Sequence, residues 1–125
     1  GPATAPTPKA AVAVWNLSAK YTKPALQHDL DEIDFVPEKL VMIKSRSESC
    51  SALLLYNEFS LAHALAVSID GSQGLLDHSA DSSNETIQAA TWSHEESKWS
   101  SEDVPTEVDG MFRNLYQKGW MGLSL

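Results

Sequence analysis

Four histidines, His28, His63, His78 and His94, offer the most reactive chemistry in this chain, because a neutral imidazole can bind a metal or carry a proton. They are scattered, and none stands at zinc-site spacing from a second ligand. His94-Glu95-Glu96 begins like a zinc-protease motif and lacks its second histidine. Cys50 is the single thiol, so no internal disulfide can form. It reads as a small packing residue on a strand rather than a nucleophile. No serine or pair of carboxylates stands in a recognisable catalytic context. The expectation is a chain that is not an enzyme and holds no metal or cofactor.

Without metal or disulfide, burial of apolar side chains must hold the fold together. A chain of 125 residues, 42% of them hydrophobic, suits one domain with a modest core. No apolar run reaches the ~18 to 20 residues that cross a bilayer, so no membrane-spanning segment is expected. Net charge is −8 and uneven: residues 1–62 carry six Lys/Arg against seven Asp/Glu, and residues 63–125 carry three against ten. A general nucleic-acid binder needs a cationic surface to displace counterions from phosphates, and this balance opposes that. Gly1-Pro2 at the start reads either as a tag remnant or as a natural chain that has lost a targeting segment. In the second case an organellar complex, photosynthetic or respiratory, is the expected destination; the sequence alone leaves the location unknown.

Residues 1–10, rich in Pro, Ala and Thr, read as an extended arm. Ala11 to Leu17 has the content of a strand. Thr22 is a helix cap, with Pro24 in the first turn and Leu26, Leu30 and Ile33 on one face. Leu40 to Ile43 and Ala52 to Tyr56 read as a strand pair joined by the polar Lys44 to Ser49. A second helix follows Ser60, with Leu61, Leu65 and Ile69 at helical spacing before Asp70-Gly71. Gly74 to Glu85 reads as a long loop, and Thr86 to Trp92 as a fourth strand. In the acidic stretch beyond, Met111, Phe112, Leu115 and Tyr116 form one face of a short terminal helix. The expected fold is therefore α+β, a ferredoxin-like split βαβ plan: a four-stranded antiparallel sheet with two helices on one face, plus a C-terminal extension. The expected division is an arm at 1–10, the domain at 11–92 and an acidic, aromatic extension at 93–125.

Within that plan Val12-Ala13-Val14-Trp15-Asn16-Leu17 resembles the first RNA-contacting strand motif of RNA recognition motif (RRM) domains, and Ser49 to Tyr56 takes the place of the longer motif. Asn16 to Asp34, with Lys20-Tyr21-Thr22 at its core, resembles the opening of the Mei-two-like RRM group. Asp103-Val104-Pro105-Thr106-Glu107, followed by Met111-Phe112, is similar to a later segment of that group, so the resemblance spans roughly residues 11–116. It implies single-stranded RNA stacked on three strand aromatics. Those positions hold Ala13, Ser51 and Leu53 here. At about 1–3 kcal/mol per stacked base, their loss removes roughly 3–9 kcal/mol of potential affinity.

Strand alternation places Ala13, Trp15, Leu53 and Leu55 on the open sheet face, opposite Val12, Val14, Ala52, Leu54 and Tyr56. An apolar face of this kind calls for a polypeptide cover: the C-terminal segment, a second copy or another protein. Trp92, Trp99, Phe112, Tyr116 and Trp120 are candidates for it. Trp120 and Leu123, in the apolar end of the chain, suit either docking within the chain or anchoring in a partner. The leading expectation is a non-catalytic accessory or assembly subunit, RRM-like, docking into a larger complex through Ala13, Trp15, Leu53, Leu55, Trp120 and Leu123. The alternative is a single-stranded RNA binder of the Mei-two-like kind, using Trp15, Tyr21, Lys44 and Arg46.

Overall fold

A computed structural model describes residues 10–44, 49–73 and 86–118. The elements run β1 (Ala10–Ser18), α1 (Lys23–Glu32), β2 (Lys39–Lys44), β3 (Ser49–Tyr56), α2 (Phe59–Ile69), β4 (Gln88–Ser93), β5 (Lys98–Trp99) and α3 (Thr106–Gln117). The strands make one sheet in the order β2–β3–β1–β4–β5, with every neighbouring pair antiparallel. The expected succession of strand, helix, two strands, helix and strand is present. The expected count of four strands is corrected to five. Residues assigned from the sequence to the N-terminal arm, except Ala10, and the loop at 74–85 lie outside the described residues.

The fifth strand arises from pairing rather than pattern. Two residues are too few to show alternation, and Lys98-Trp99 sits in a polar, acidic stretch. Its place is fixed by Trp99 opposite Trp92 and Lys98 opposite Ser93. Ser100 adds two bonds to Thr91, its N–H donating to the Thr91 carbonyl and its Oγ accepting from the Thr91 N–H, both at 2.9 Å. Ser97, with φ of 52°, closes the tight connection by donating its N–H to the Ser93 carbonyl at 2.7 Å.

Side chains alternate across the sheet and so build two cores. On one face Val12, Val14, Ala52, Leu54 and Tyr56 pack with Leu26 and Leu30 of α1 and with Ala62, Leu65 and Ile69 of α2. Polar pins fix this layer. Thr22 caps α1 by accepting from the Ala25 N–H at 3.2 Å, and Asp34, with φ of 63°, ends it in the left-handed turn that Asp tolerates. The Tyr21 hydroxyl donates to Asp29, and Tyr56 donates to the Phe35 carbonyl at 2.6 Å. After α2 the chain reverses through Gly71, whose φ of 82° suits a residue without a side chain. Its N–H donates to the Ile87 carbonyl at 2.7 Å, leading into β4.

The second core lies on the opposite face. Ala11, Ala13, Trp15, Ile43, Leu53, Leu55, Ala90 and Trp92 meet Val108 and Phe112 of α3. The helix therefore begins earlier than its Met111 to Tyr116 face suggested. Its inward stripe is Val108 and Phe112, both buried, with Leu115 partly buried, whereas Met111 and Tyr116 are exposed at 36% and 37%. Full burial of a side chain such as Phe112 is worth about 1.5–3 kcal/mol, which is the force that lays α3 on the sheet.

A bulge in β1 sorts residues between the cores. Val14 pairs with Ala52 and Leu17 with Cys50, so Trp15 and Asn16 together oppose the single residue Ser51. Asn16 takes the extra place with φ of 67° and donates its side-chain N–H to the Thr86 carbonyl at 3.1 Å. Strict alternation would send Leu17 to the α3 side with Trp15. The bulge returns it to the core beneath α1 and α2.

Candidate functional site

The four side chains expected on an open sheet face, Ala13, Trp15, Leu53 and Leu55, lie in one apolar layer. Ala13 lies directly opposite Leu53, and Ala11 opposite Leu55. Ala13, Leu53 and Leu55 are 0% exposed and Trp15 is 7% exposed, beneath α3 and its approach at Val104. Ser51, beside the bulge, is also buried. The apolar face is thus real, and its cover is a helix of the same chain. Trp120 and Leu123 lie outside the described residues.

The residues expected to touch RNA do not share a surface. Trp15 belongs to the core under α3, whereas Tyr21 is buried in the other core with its hydroxyl committed to Asp29. Lys44 is exposed at the end of β2, opposite Cys50, and Arg46 lies outside the described residues. Burial pushes the Cys50 thiol above its ordinary pKa, and the nearby Lys44 charge only partly offsets this. Burial also pushes the Tyr56 phenol well up. Such groups stay protonated at neutral pH and supply neither thiolate nor phenolate for catalysis. Among the described residues no three His, Cys, Asp or Glu side chains are placed to hold a metal ion. Nor is any described helix long and apolar enough to cross a membrane.

Polar chemistry gathers instead where α3 crosses the β4–β5 hairpin. Trp92 packs its ring edge-on against Trp99, with centroids 5.5 Å apart, and lies 4.7 Å from Phe112 and 6.1 Å from Tyr116. Asp109 ties the cluster to the helix: one carboxylate oxygen accepts from Trp99 Nε1 at 2.8 Å and the other from Arg113 Nε at 2.9 Å. The Arg113 guanidinium stands 5.7 Å over the Trp92 ring, close enough for cation–π attraction. At the outer end the Tyr116 hydroxyl and His94 Nδ1 are 3.2 Å apart. Two concavities flank this knot. A cleft of about 710 Å³ runs along β5 and the start of α3, bordered by Trp99, Glu102, Val104, Asp109 and Arg113. A cavity of about 240 Å³ lies between Trp92 and the later turns of α3.

Sequence reasoning missed Asp109 and Arg113 as a pair. Their spacing of four on a helix was the available signal, but the helix was started too late to include Asp109. Val108 was missed for the same reason, although Val108, Phe112 and Leu115 keep the spacing of a buried stripe.

No protein-family model matches the chain, and no curated protein matches it.

Proposed function

We propose that the chain is a non-catalytic, RRM-like accessory or assembly subunit of ferredoxin-like plan, which docks into a larger complex through protein contacts. The observation that carries this reading is α3 laid across the sheet face where bases would stack, with Ala13 and Leu53 fully buried beneath it. RNA could use that face only by displacing α3, re-exposing the surface of Val108 and Phe112 to water. At the three positions where the resemblance expects rings it would then find Ala13, Ser51 and Leu53. A net charge of −8 adds no compensating attraction for phosphate. The seam between α3 and the β4–β5 hairpin, by contrast, brings tryptophan, tyrosine and arginine beside two concavities, the residue types that carry most energy in protein interfaces.

Fluorescence anisotropy with mixed short single-stranded RNAs at physiological salt tests this directly. The expected result is no binding at micromolar protein. Micromolar or tighter binding that is lost in Trp15→Ala overturns the reading in favour of a Mei-two-like RNA binder. Native mass spectrometry of material from the source is expected to show a co-purifying protein, and a free monomer alone opposes the assembly role.

A further inference from the structure

In the groove between α3 and the β4–β5 hairpin, the 240 Å³ cavity is walled by Trp92, Ser97, Phe112, Arg113, Tyr116 and Gln117. Its volume falls below the ~300–1,000 Å³ of sites for whole small molecules and suits one large side chain. The walls are mainly aromatic. The Trp92 and Phe112 ring centroids are 4.7 Å apart, those of Phe112 and Tyr116 are 5.7 Å apart, and Tyr116 is left 37% exposed at the rim. Rings pack favourably edge-on or offset against other rings, so this hole favours an aromatic guest. Arg113 is already paired with Asp109, so charge selects no guest here.

The chain supplies such a guest at the cavity's edge. Gln117, the last residue of α3, borders the hole, and Lys118 caps the helix with its N–H donated to the Asn114 carbonyl at 3.2 Å. Only Gly119 then separates the cap from Trp120, and a glycine accepts whichever turn brings the ring back. Arg113, Tyr116, Gln117 and Trp120 fall at i, i+3, i+4 and i+7, so the helix delivers Trp120 to the flank on which the cavity lies. Three Cα steps keep it within ~11 Å of Gln117. Trp120 to Leu125 include no charged side chain that would hold the segment in water. A ring tethered this closely is present at about millimolar effective concentration, which any separate chain has to exceed. We propose that Trp120 of this same chain fills the cavity, seating its indole against Trp92, Phe112 and Tyr116 and latching α3 over the sheet. The 710 Å³ cleft remains beside it. Under the protein-docking reading, a partner that takes Trp120 as its anchor must first draw it from this seat.

The test uses the whole chain labelled with ¹⁵N and ¹³C, the Trp120 indole resonance being identified by its loss in Trp120→Phe. The expected result is nuclear Overhauser contacts from the Trp120 ring to the Phe112 and Tyr116 rings, unchanged on dilution. Trp120→Ala is expected to keep the dispersion of a folded spectrum and to shift Trp92, Phe112, Tyr116 and Gln117, whereas Leu123→Ala leaves them in place. Free indole is then expected to bind Trp120→Ala at least about tenfold more tightly than the unaltered chain, where the tethered ring competes for the same hole. Contacts that fade on dilution put the ring in a second copy and overturn the proposal. So do a Trp120 ring without contacts to α3, and indole that binds both proteins equally. Shifts at Trp92 caused by Leu123→Ala and not by Trp120→Ala overturn it too, naming another residue of the segment as the occupant.

Discussion

The two faces of the sheet differ in how they are closed. The face under α1 and α2 is mostly aliphatic, is covered by two helices interleaved with the strands that they cross, and is pinned by Tyr21 on Asp29 and Tyr56 on Phe35. The face under α3 carries Trp15, Trp92, Trp99 and Phe112 and is closed by one helix from beyond the last strand. It also retains the Trp92 indole N–H, which has no acceptor among the described residues, and the flanking cavities. One face is closed by helices that lie between strands in the chain; the other is closed by a helix that follows the whole sheet. A helix joined at the end of the chain order can be loosened without unthreading the sheet, whereas α1 and α2 cannot.

Breaking that contrast calls first for Phe112→Ala, which is expected to cost about 3–5 kcal/mol. Its damage is expected to fall on α3: hydrogen exchange rises in residues 106–117 and a hydrophobic dye binds before the urea transition. Leu54→Ala, on the other face, is expected to cost about 2–5 kcal/mol with no dye binding ahead of one cooperative transition. If both variants lose exchange protection uniformly, the faces are a single unit and the distinction fails. Tyr21→Phe sharpens the contrast from the pinned side. It removes the donor to Asp29, which is 8% exposed, and is expected to lower stability by about 1.5–3 kcal/mol in urea titrations.

Alkaline pH is expected to act on the same face, because Cys50 and Tyr56 both belong to it. Burial favours their protonated forms, so the unfolded chain gives up these protons at lower pH than the folded one. Their contribution is complete below the ordinary thiol value of 9.0 and is lost as pH rises beyond it. A urea midpoint that stays level above that value would count against burial as the cause. The smallest change is a gain: Gly110→Ala in α3, where an added methyl meets nothing within 4 Å, is expected to stabilise by about 0.5–1 kcal/mol. Dye binding by Phe112→Ala should decrease when the two substitutions are combined.

Much of this division was legible in the residues. Val12 and Val14 against Ala13 and Trp15, and Leu54 and Tyr56 against Leu53 and Leu55, state the two faces through period-two alternation alone. The need for a cover followed from the second set being apolar. Its identity did not follow, because whether a helix packs on its own sheet or on another chain depends on connection length and orientation. The bulge was hidden since Val12 to Leu17 reads as one uninterrupted strand, and only the partner strand reveals the surplus residue. β5 was hidden because its determinants, Thr91 and Trp92, lie on another strand. The groove was hidden twice over, as it needs both β5 and the earlier start of α3.

The left-handed step at Asn16 constrains how the chain can go wrong. A plain strand can slip along its neighbours by two residues and still present the same side chains to the same layers. β1 lacks that freedom, since slippage would carry the kink away from Ser51 and break the Asn16 bond to Thr86. The central strand is therefore indexed like a notched key, with one pairing register that seats both the kink and its hydrogen bond.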